Sequence, residues 1–153
     1  MGRIDDRLAE LGETLPDAPS PAANYVPYLQ VGDMLYVSGQ ISQGPDGPIT
    51  GTLGGPGDIE TGRDAAKCCA LSLLAQVRAA TGGDLDRLAQ VVKLTGFVAS
   101  APGFTDQPKV INGASDFLVE VLGDAGRHTR SAVGASALPL GVMVEIEGIF
   151  RLS

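Results

Sequence analysis

The sequence predicts an α+β domain in which a mixed β-sheet carries two main helices packed on one face. Apolar residues recur at helical spacing in two long segments, whereas β-branched or alternating segments precede, separate and follow them. Clusters of Gly and Pro lie between these segments. A length of 153 residues fits one domain, so we expect a single domain over 1–153, with 1–20 forming an N-terminal helix and a Pro-rich extension.

The first half of the chain is expected to contain a short helix, a hairpin and a loop. Apolar spacing predicts the helix over 3–11, and the Pro-rich segment that follows is extended or turned. The residues YLQVGDMLYVSGQIS at 28–42 predict a β-hairpin that turns at Gly32 and Asp33. The Gly- and Pro-rich residues 42–58 predict a long loop, and a loop of that length is often a functional or interface element.

The second half alternates helices and strands. Gly82 and Gly83 are expected to end the first long helix, and Gly123 the second, which carries Pro108 in its first turn. The predicted elements are a helix in the segment 59–83, a short turn over 84–90, a strand over 91–100, a helix over 107–123 and two strands over 129–136 and 142–153.

The last strand indicates that one sheet face is left uncovered. Its residues alternate between an apolar side and a side that mixes acids with hydrophobic residues. Such a mixed side suits a subunit interface better than open water. The apolar side comprises Val142, Val144, Ile146, Gly148 and Phe150, and the mixed side comprises Met143, Glu145, Glu147 and Ile149.

Composition argues against several classes of partner. A formal net charge of -7 disfavours stable nucleic-acid binding, which depends on Lys and Arg. The adjacent Cys68 and Cys69 cannot easily bridge each other and are expected as small core residues in a reducing compartment. The acidic N-terminus does not resemble a signal peptide, and no apolar run reaches the ~20 residues of a membrane span. We therefore expect a cytoplasmic protein with no membrane partner.

A metal site and a nucleotide site are not expected. The only histidine, His128, lies between Arg127 and Arg130, whose charges repel a metal ion, and further ligands are missing around it. The glycines at 51–57 lack the Lys of a phosphate-binding loop, so we expect a flexible loop there.

Arg130 is the most informative candidate for a binding residue. It lies in a predicted strand beside apolar positions, where its guanidinium can bind a carboxylate in bidentate fashion. The alternative is an exposed arginine that pairs with Glu145 or Glu147 on the adjacent strand. Glu145 is likewise open to two interpretations, a salt-bridge partner or a carboxylate that orients water.

Two further polar residues have simpler interpretations. Ser38 would need a base to act as a nucleophile, and the sequence offers only His128. We therefore favour hydrogen bonding of Ser38 to the backbone at a strand end, with substrate contact as the second interpretation. Asn112 lies in a predicted helix, where a surface or helix-contact role is more common than a ligand role.

Six motifs occur in the order and spacing of a known family. Tyr25 lies 13 positions before Ser38, which begins SGQI. The motifs that follow are AAKCCALSLLAQVRAATGGDLDRLAQVVKLTGFV, VIN, TRSAVG, LP and VEIEGI. From about Pro21 to Ile149 the sequence therefore resembles the reactive-intermediate deaminase family (RidA, or YjgF), long labelled endoribonuclease L-PSP.

The resemblance implies a chorismate-mutase-like fold and a homotrimer whose clefts lie between subunits. Well-known members hydrolyse reactive imines and enamines, such as 2-aminoacrylate, to a 2-oxo acid and ammonia, with no metal or organic cofactor. It further implies that Arg130 binds the substrate carboxylate and that Glu145 orients a water molecule. Tyr25, Ser38 and Asn112 match the other pocket residues of the family.

The sequence departs from the family pattern at three places. Ala132 replaces a frequent cysteine, residues 134–137 are altered, and the 42–58 loop is longer. Tyr28 is an alternative to Tyr25, which we prefer because of its spacing to Ser38. The resemblance therefore leaves the substrate open.

Three functions are compatible with the sequence. Imine hydrolysis by positioning a carboxylate and a water molecule needs no nucleophile or strong base, which agrees with the residues present. A non-catalytic protein that binds or senses a 2-oxo acid or another small metabolite would use the same cleft. Endoribonuclease activity is the third, and the acidic charge and the lack of a histidine pair argue against it.

Overall fold

The computed structural model describes residues 2–21, 23–55 and 58–153. These residues form helices α1 (Arg3–Glu10), α2 (Ile59–Ala80) and α3 (Gln107–Leu122) and strands β1 (Tyr28–Val31), β2 (Met34–Ile41), β3 (Gln43–Gly44), β4 (Gly47–Pro48), β5 (Leu88–Ala99), β6 (Thr129–Ala135) and β7 (Val144–Leu152). Short 3₁₀ turns occupy Leu85–Arg87, Gly123–Gly126 and Pro139–Gly141.

Five of the strands form one mixed sheet in the order β1-β2-β7-β5-β6. β5 and β6 are parallel, and the other neighbouring pairs are antiparallel. The last strand in sequence is therefore central, and β6 is an edge strand. α2 packs on β2 and β7, α3 packs on β5 and β6, and the two helices contact each other. The predicted mixed sheet with two main helices on one face is confirmed.

The two main helices end where the glycines predict. Ala66 and Cys69 of α2 are small and fully buried, so this helix lies close to the sheet. Gly82 and Gly83 follow α2 with φ angles of 65° and 98°, and Gly123 follows α3 with a φ of 64°. Glycine adopts these left-handed conformations without steric strain, so both helices stop there.

The N-terminal helix is held by one carboxylate of the turn before β5. The Asp86 side chain accepts hydrogen bonds from the backbone N–H groups of Ile4 (2.9 Å) and Arg3 (2.8 Å), which otherwise lack partners at a helix start. The bond from Ile4, followed by that from Arg3, lowers the pKa of Asp86. Ile4 and Leu8 are buried, as the apolar spacing of this helix predicts.

Two regions differ from the sequence-based expectation. β5 begins at Leu88 rather than 91, because its first residues already pair with the end of β7. The loop over 42–58 contains the two-residue strands β3 and β4, which are joined by a turn at Pro45 and Asp46. Gly47, the first residue of β4, has a φ of 111°. Within 51–57, Leu53 is buried and bridges to β5's end, so this part is anchored. Pro56 and Gly57 of the same loop lie outside the described residues.

The sheet face opposite the helices carries large exposed apolar side chains. Burial alternates along β7 as predicted, with Val144, Ile146 and Phe150 directed toward the helices. On the other face, Tyr36 is 46% exposed and lies between Leu29 of β1 and Ile149 of β7. Leu29, Val31 and Val133 are 58, 60 and 45% exposed. We call this apolar surface of Leu29, Val31, Tyr36, Val133 and Ile149 the open sheet face.

Candidate functional site

A β-bulge interrupts the pairing of β2 with β7. The register shifts between Val37 and Gln40, so that Ser38 and Gly39 together lie opposite a single residue of β7. Gln40 after the bulge is buried, and its side-chain amide donates to the Ser38 carbonyl oxygen (2.9 Å). The backbone of the bulge is thereby fixed at the surface of the sheet.

Ser38 fastens the preceding segment to this bulge. Its hydroxyl donates to the carbonyl oxygen of Val26 (2.7 Å), and its N–H donates to that of Pro27 (2.9 Å). Ser38 thus hydrogen-bonds backbone, as the favoured interpretation predicts, but it does so at a bulge inside β2 and not at a strand end. These contacts hold the segment containing Tyr25 beside β2.

The bulge forms one wall of a groove with a volume of about 430 Å³. Its lining includes Tyr25, Ser38, Gly39, Glu145 and Leu140. Three of the five predicted site residues therefore meet here. Tyr28, the alternative to Tyr25, is not among the lining residues.

Glu145 is a half-buried carboxyl group in this groove. Among the residues that the structure describes, no hydrogen bond or ion pair to its side chain is found. Burial raises the pKa of Glu145, and the charge of Glu147 raises it further. A carboxylate in this state accepts a proton more readily than an exposed one, so it is suited to act on a bound water molecule.

Gly39 allows the Glu145 side chain to lie directly on the bulge. A Cβ atom at Gly39 would lie 3.0 Å from Cδ and 3.2 Å from Cγ of Glu145, and closer still to Oε2. Only a residue without a side chain fits this position without moving the carboxylate. This glycine belongs to the SGQI motif, and its role becomes evident only from the contact with Glu145.

Arg130 lies on the helix-covered side of edge strand β6. It is paired in register with the buried Leu94, and its guanidinium reaches α3. Nη1 donates to the Ser115 hydroxyl oxygen (3.0 Å), and Nη2 donates to the carbonyl oxygen of Pro108 (3.2 Å). Two of the five N–H groups of a guanidinium are used in this way, which leaves the others for a ligand.

The alternative interpretation of Arg130 as a partner of Glu145 or Glu147 is wrong. It assumed that the strand containing Arg130 lies next to the last strand. β5 lies between β6 and β7, because β5 pairs with both.

Asn112 lies on the same strip of α3 as the two partners of Arg130. Positions 108, 112 and 115 are separated by four and three residues, which places them on one face of a helix. Asn112 is half-buried there. Arg130 therefore lies in the crevice between β6 and α3, and Asn112 lies on the strip of α3 that borders it.

The predicted site residues form two sets on opposite faces of the sheet. Tyr25, Ser38 and Glu145 lie in the groove, and Glu145 points away from the helices because its neighbours along β7 point toward them. Arg130 and Asn112 lie on the helix side, two strands away from β7. A single copy of the chain does not bring the two sets together.

Ser115 and His128 are polar residues near Arg130 that the sequence analysis did not connect. The Ser115 hydroxyl oxygen lies 2.8 Å from Nε2 of His128, so the histidine that was weighed as a base for Ser38 contacts a different serine. The sequence positions of Ser115 and His128 could have indicated that both lie near Arg130. Position 128 is two residues before Arg130, and position 115 is one helical turn after Asn112.

A second groove, of about 740 Å³, lies between the N-terminal segment and α2. Glu13, Lys67 and Cys68 line it, and Lys67 forms an ion pair with Glu13. Burial raises the pKa of the Cys68 thiol, and it raises that of Cys69, which is fully buried, well above the usual range. Both thiols are thus protonated at neutral pH. Cys69 is the small core residue that was predicted, whereas the same prediction is wrong for Cys68, which is half-buried at the groove.

Within residues 2–21, 23–55 and 58–153, no group of three or more His, Cys, Asp or Glu side chains is placed to hold a metal ion. None of the helices in this part of the chain is long and apolar enough to cross a membrane.

The chain matches the family described as "YjgF/chorismate_mutase-like, putative endoribonuclease" over residues 5–150. It therefore belongs to the YjgF (RidA) family and has its chorismate-mutase-like fold. It is 46% identical to Protein TCP17 of Trypanosoma cruzi, over 99% of this chain and 96% of that protein. It is 29% identical to the 2-iminobutanoate/2-iminopropanoate deaminase of Dermatophagoides farinae, over 88% of this chain and 90% of the deaminase.

Solved structures show the same fold. The Agrobacterium tumefaciens protein Atu1372, of unknown function, has a TM-score of 0.89 at 46% identity, covering 99% of this chain and 93% of that one. Escherichia coli TdcF, solved with bound serine, has a TM-score of 0.64 at 27% identity, covering 89% of this chain and 94% of TdcF.

Proposed function

We propose that the protein hydrolyses reactive imines and enamines of the 2-aminoacrylate class to the corresponding 2-oxo acid and ammonia. The observation that carries the proposal is the way in which the Arg130 guanidinium is held. Two hydrogen bonds to α3 hold its guanidinium, and its remaining N–H groups are available for a planar carboxylate. The relative named 2-iminobutanoate/2-iminopropanoate deaminase supports this reaction class. The serine bound to TdcF supports a ligand of amino-acid size.

The proposed reaction needs only binding and proton transfer. Arg130 binds the substrate carboxylate, and an enamine first takes a proton from solvent at its terminal carbon and loses one from its nitrogen to become the imine. A water molecule beside Glu145 attacks the imine carbon, its proton passes to the carboxylate, and the C=N electron pair moves to the nitrogen, which then takes that proton from Glu145. The tetrahedral intermediate then loses ammonia as its hydroxyl becomes the carbonyl of the 2-oxo acid. Positioning of the two reactants supplies most of the rate increase.

The proposed active site is completed by a second copy of the chain. Arg130 and Glu145 lie on opposite faces of one sheet, so they act on one substrate only across a subunit boundary. The open sheet face offers apolar area for such a contact. A homotrimer, which the family resemblance implies, would contain three equivalent sites.

The experiment is a hydrolysis assay with 2-aminoacrylate or 2-iminobutanoate generated in the cuvette by a dehydratase. The wild-type protein is expected to accelerate the loss of the imine over buffer, and Arg130→Ala to reduce kcat/KM at least ~100-fold, because a charge-assisted bidentate contact is lost. Arg127→Ala is the matched control, since the Arg127 side chain is exposed and, among the described residues, its ion pair is with Asp124 at the surface. Equal rates for wild type and Arg130→Ala would contradict the proposal.

A second candidate is a protein that binds a small carboxylate without turnover. The observation that favours it is the serine bound to Escherichia coli TdcF, which is a small carboxylate held by a protein of similar structure. Saturable calorimetric binding of a 2-oxo acid, without acceleration of imine hydrolysis, would select this function.

A further inference from the structure

The hydrogen bonds of Arg130 continue through Ser115 to His128. The Ser115 hydroxyl oxygen lies 3.0 Å from Nη1 of Arg130 and 2.8 Å from Nε2 of His128. Nδ1 of His128 lies 2.6 Å from the carbonyl oxygen of Gly126. The guanidinium is thereby connected to the backbone of the turn that precedes β6.

The carbonyl of Gly126 fixes where the protons lie. A carbonyl oxygen only accepts, so Nδ1 of His128 carries a proton and donates it to Gly126. In a neutral imidazole Nε2 is then an acceptor, and the Ser115 hydroxyl donates to it. The Ser115 oxygen therefore presents lone pairs to Arg130, whose guanidinium has donors only.

Ser115 and the Pro108 carbonyl hold the guanidinium from two turns of α3. Nη1 is fixed by Ser115 and Nη2 by Pro108, at positions seven residues apart on one helix face. Two bonds from different nitrogen atoms define the plane of the guanidinium as well as its position. A planar carboxylate needs that plane to be set before it binds.

We propose that Ser115 and His128 are positioning residues that hold the Arg130 guanidinium in the orientation that binds the substrate carboxylate. This inference rests on the proposed function, because it takes the carboxylate to bind Arg130.

The charges around His128 are consistent with a neutral ring. Burial lowers the pKa of His128 and the Arg130 charge lowers it further, whereas the hydrogen bond to Gly126 raises it. The other charged side chains on the elements around His128 pair with different residues or lie on the other face of the sheet. Arg127 pairs with Asp124, Asp116 of α3 pairs with Arg63 of α2, and Lys93 of β5 lies on the opposite sheet face, in register with Thr129.

NMR spectroscopy can test the proton positions directly, because His128 is the only histidine in the chain. In ¹⁵N-labelled full-length protein at pH 7.5, Nδ1 is expected to be protonated and Nε2 unprotonated. Arg130→Gln is expected to raise the pKa of His128, because a nearby positive charge is removed. The opposite tautomer in the wild type, or a pKa that Arg130→Gln leaves unchanged, would overturn the hydrogen-bond chain.

Kinetics test the positioning role. Ser115→Ala and His128→Phe are expected to raise KM about tenfold and to change kcat less than ~3-fold, because the guanidinium loses its fixed orientation but keeps its charge. His128→Gln retains an acceptor for the Ser115 hydroxyl and is expected to restore KM toward the wild-type value. Arg127→Ala is the control, and circular dichroism confirms that each variant is folded.

The outcomes separate this inference from the proposed function. If Arg130→Gln is as active as wild type, the proposed function fails and the positioning role fails with it. If Arg130→Gln is inactive while Ser115→Ala and His128→Phe keep the wild-type KM, only the positioning role fails. Loss of kcat in Ser115→Ala at an unchanged KM would instead assign Ser115 to the chemical step and overturn the positioning role.

Discussion

Gly39 and Glu145 are in contact on the wall of the groove, which makes the smallest substitution at Gly39 informative. An added methyl group would lie 3.0 Å from Cδ of Glu145 and displace the carboxylate. We expect Gly39→Ala to reduce kcat/KM at least ~10-fold in the imine assay, since misplacement of a catalytic group is costly, and to change stability by no more than about 1 kcal/mol. Gly44→Ala is the control, because its methyl group would meet only Cδ1 of Ile49 at 3.8 Å. Unchanged kinetics in Gly39→Ala would indicate that Glu145 does not take part in the reaction.

The raised pKa of Glu145 gives a second prediction at the residue scale. Because burial and the Glu147 charge favour the protonated form, Glu145 loses its charge at a higher pH than an ordinary glutamate as the pH falls. If the carboxylate accepts the proton of water, the acid limb of the kcat/KM profile has its midpoint above 4.5, the ordinary value. Glu147→Gln is expected to move this midpoint to lower pH, and the exposed Glu120→Gln is expected to leave it in place. A midpoint that does not respond to Glu147→Gln would assign the limb to another group.

At the scale of elements, α3 carries the partners of Arg130, so its packing on α2 sets the crevice. A Cβ atom at Gly113 would lie 2.7 Å from the carbonyl carbon of Arg63 in α2, and backbone atoms cannot move aside as a flexible side chain can. Gly113→Ala is therefore expected to lower the free energy of unfolding by about 2–3 kcal/mol and Tm by roughly 4–12 °C. Glu120→Ala, exposed on the same helix, is expected to stay within ~0.5 kcal/mol. Thermal unfolding followed by circular dichroism measures both, and equal Tm values would contradict close helix packing at Gly113.

The elements were predictable where a local signal determines them. The hairpin turn at Gly32 and the helix ends at Gly82 and Gly123 follow from the backbone freedom of glycine, and the helices follow from apolar spacing. The sheet order was not predictable, because it depends on pairing between strands that are distant in sequence. For this reason the alternative interpretation, in which Arg130 pairs with Glu145 or Glu147, was wrong, although all three residues were correctly placed on strands.

The sequence indicates candidate site residues but not how they are arranged. Tyr25, Ser38 and Glu145 meet in one groove, as the family motifs imply, whereas the contact of Ser115 with Arg130 had no motif to indicate it. The bulge at Ser38 and Gly39 arises from one extra residue in β2 relative to β7. Such a mismatch is a property of the pair of strands, and the sequence of either strand alone does not contain it.

At the scale of the whole molecule, the open sheet face and the two separated sets of site residues both lead us to expect an oligomer. An exposed apolar surface across β1, β2 and β7 is costly in water unless another surface covers it. The same assembly that covers it can bring Arg130 of one copy to the groove of the next. Catalysis would then depend on oligomerisation, because neither set of residues is complete alone.

Complementation between inactive variants tests this shared site. Arg130→Ala retains the groove with Glu145, and Glu145→Gln retains the crevice with Arg130, so each variant is expected to be inactive by itself. When equal amounts are unfolded together and refolded, random assembly gives an intact Arg130 and an intact Glu145 at about a quarter of the subunit boundaries, and about a quarter of wild-type activity should return. Mixing the variants after separate refolding is the control, and it should restore less if subunits exchange slowly. If both residues acted within one copy, no mixture would regain activity, and the site would not lie between subunits.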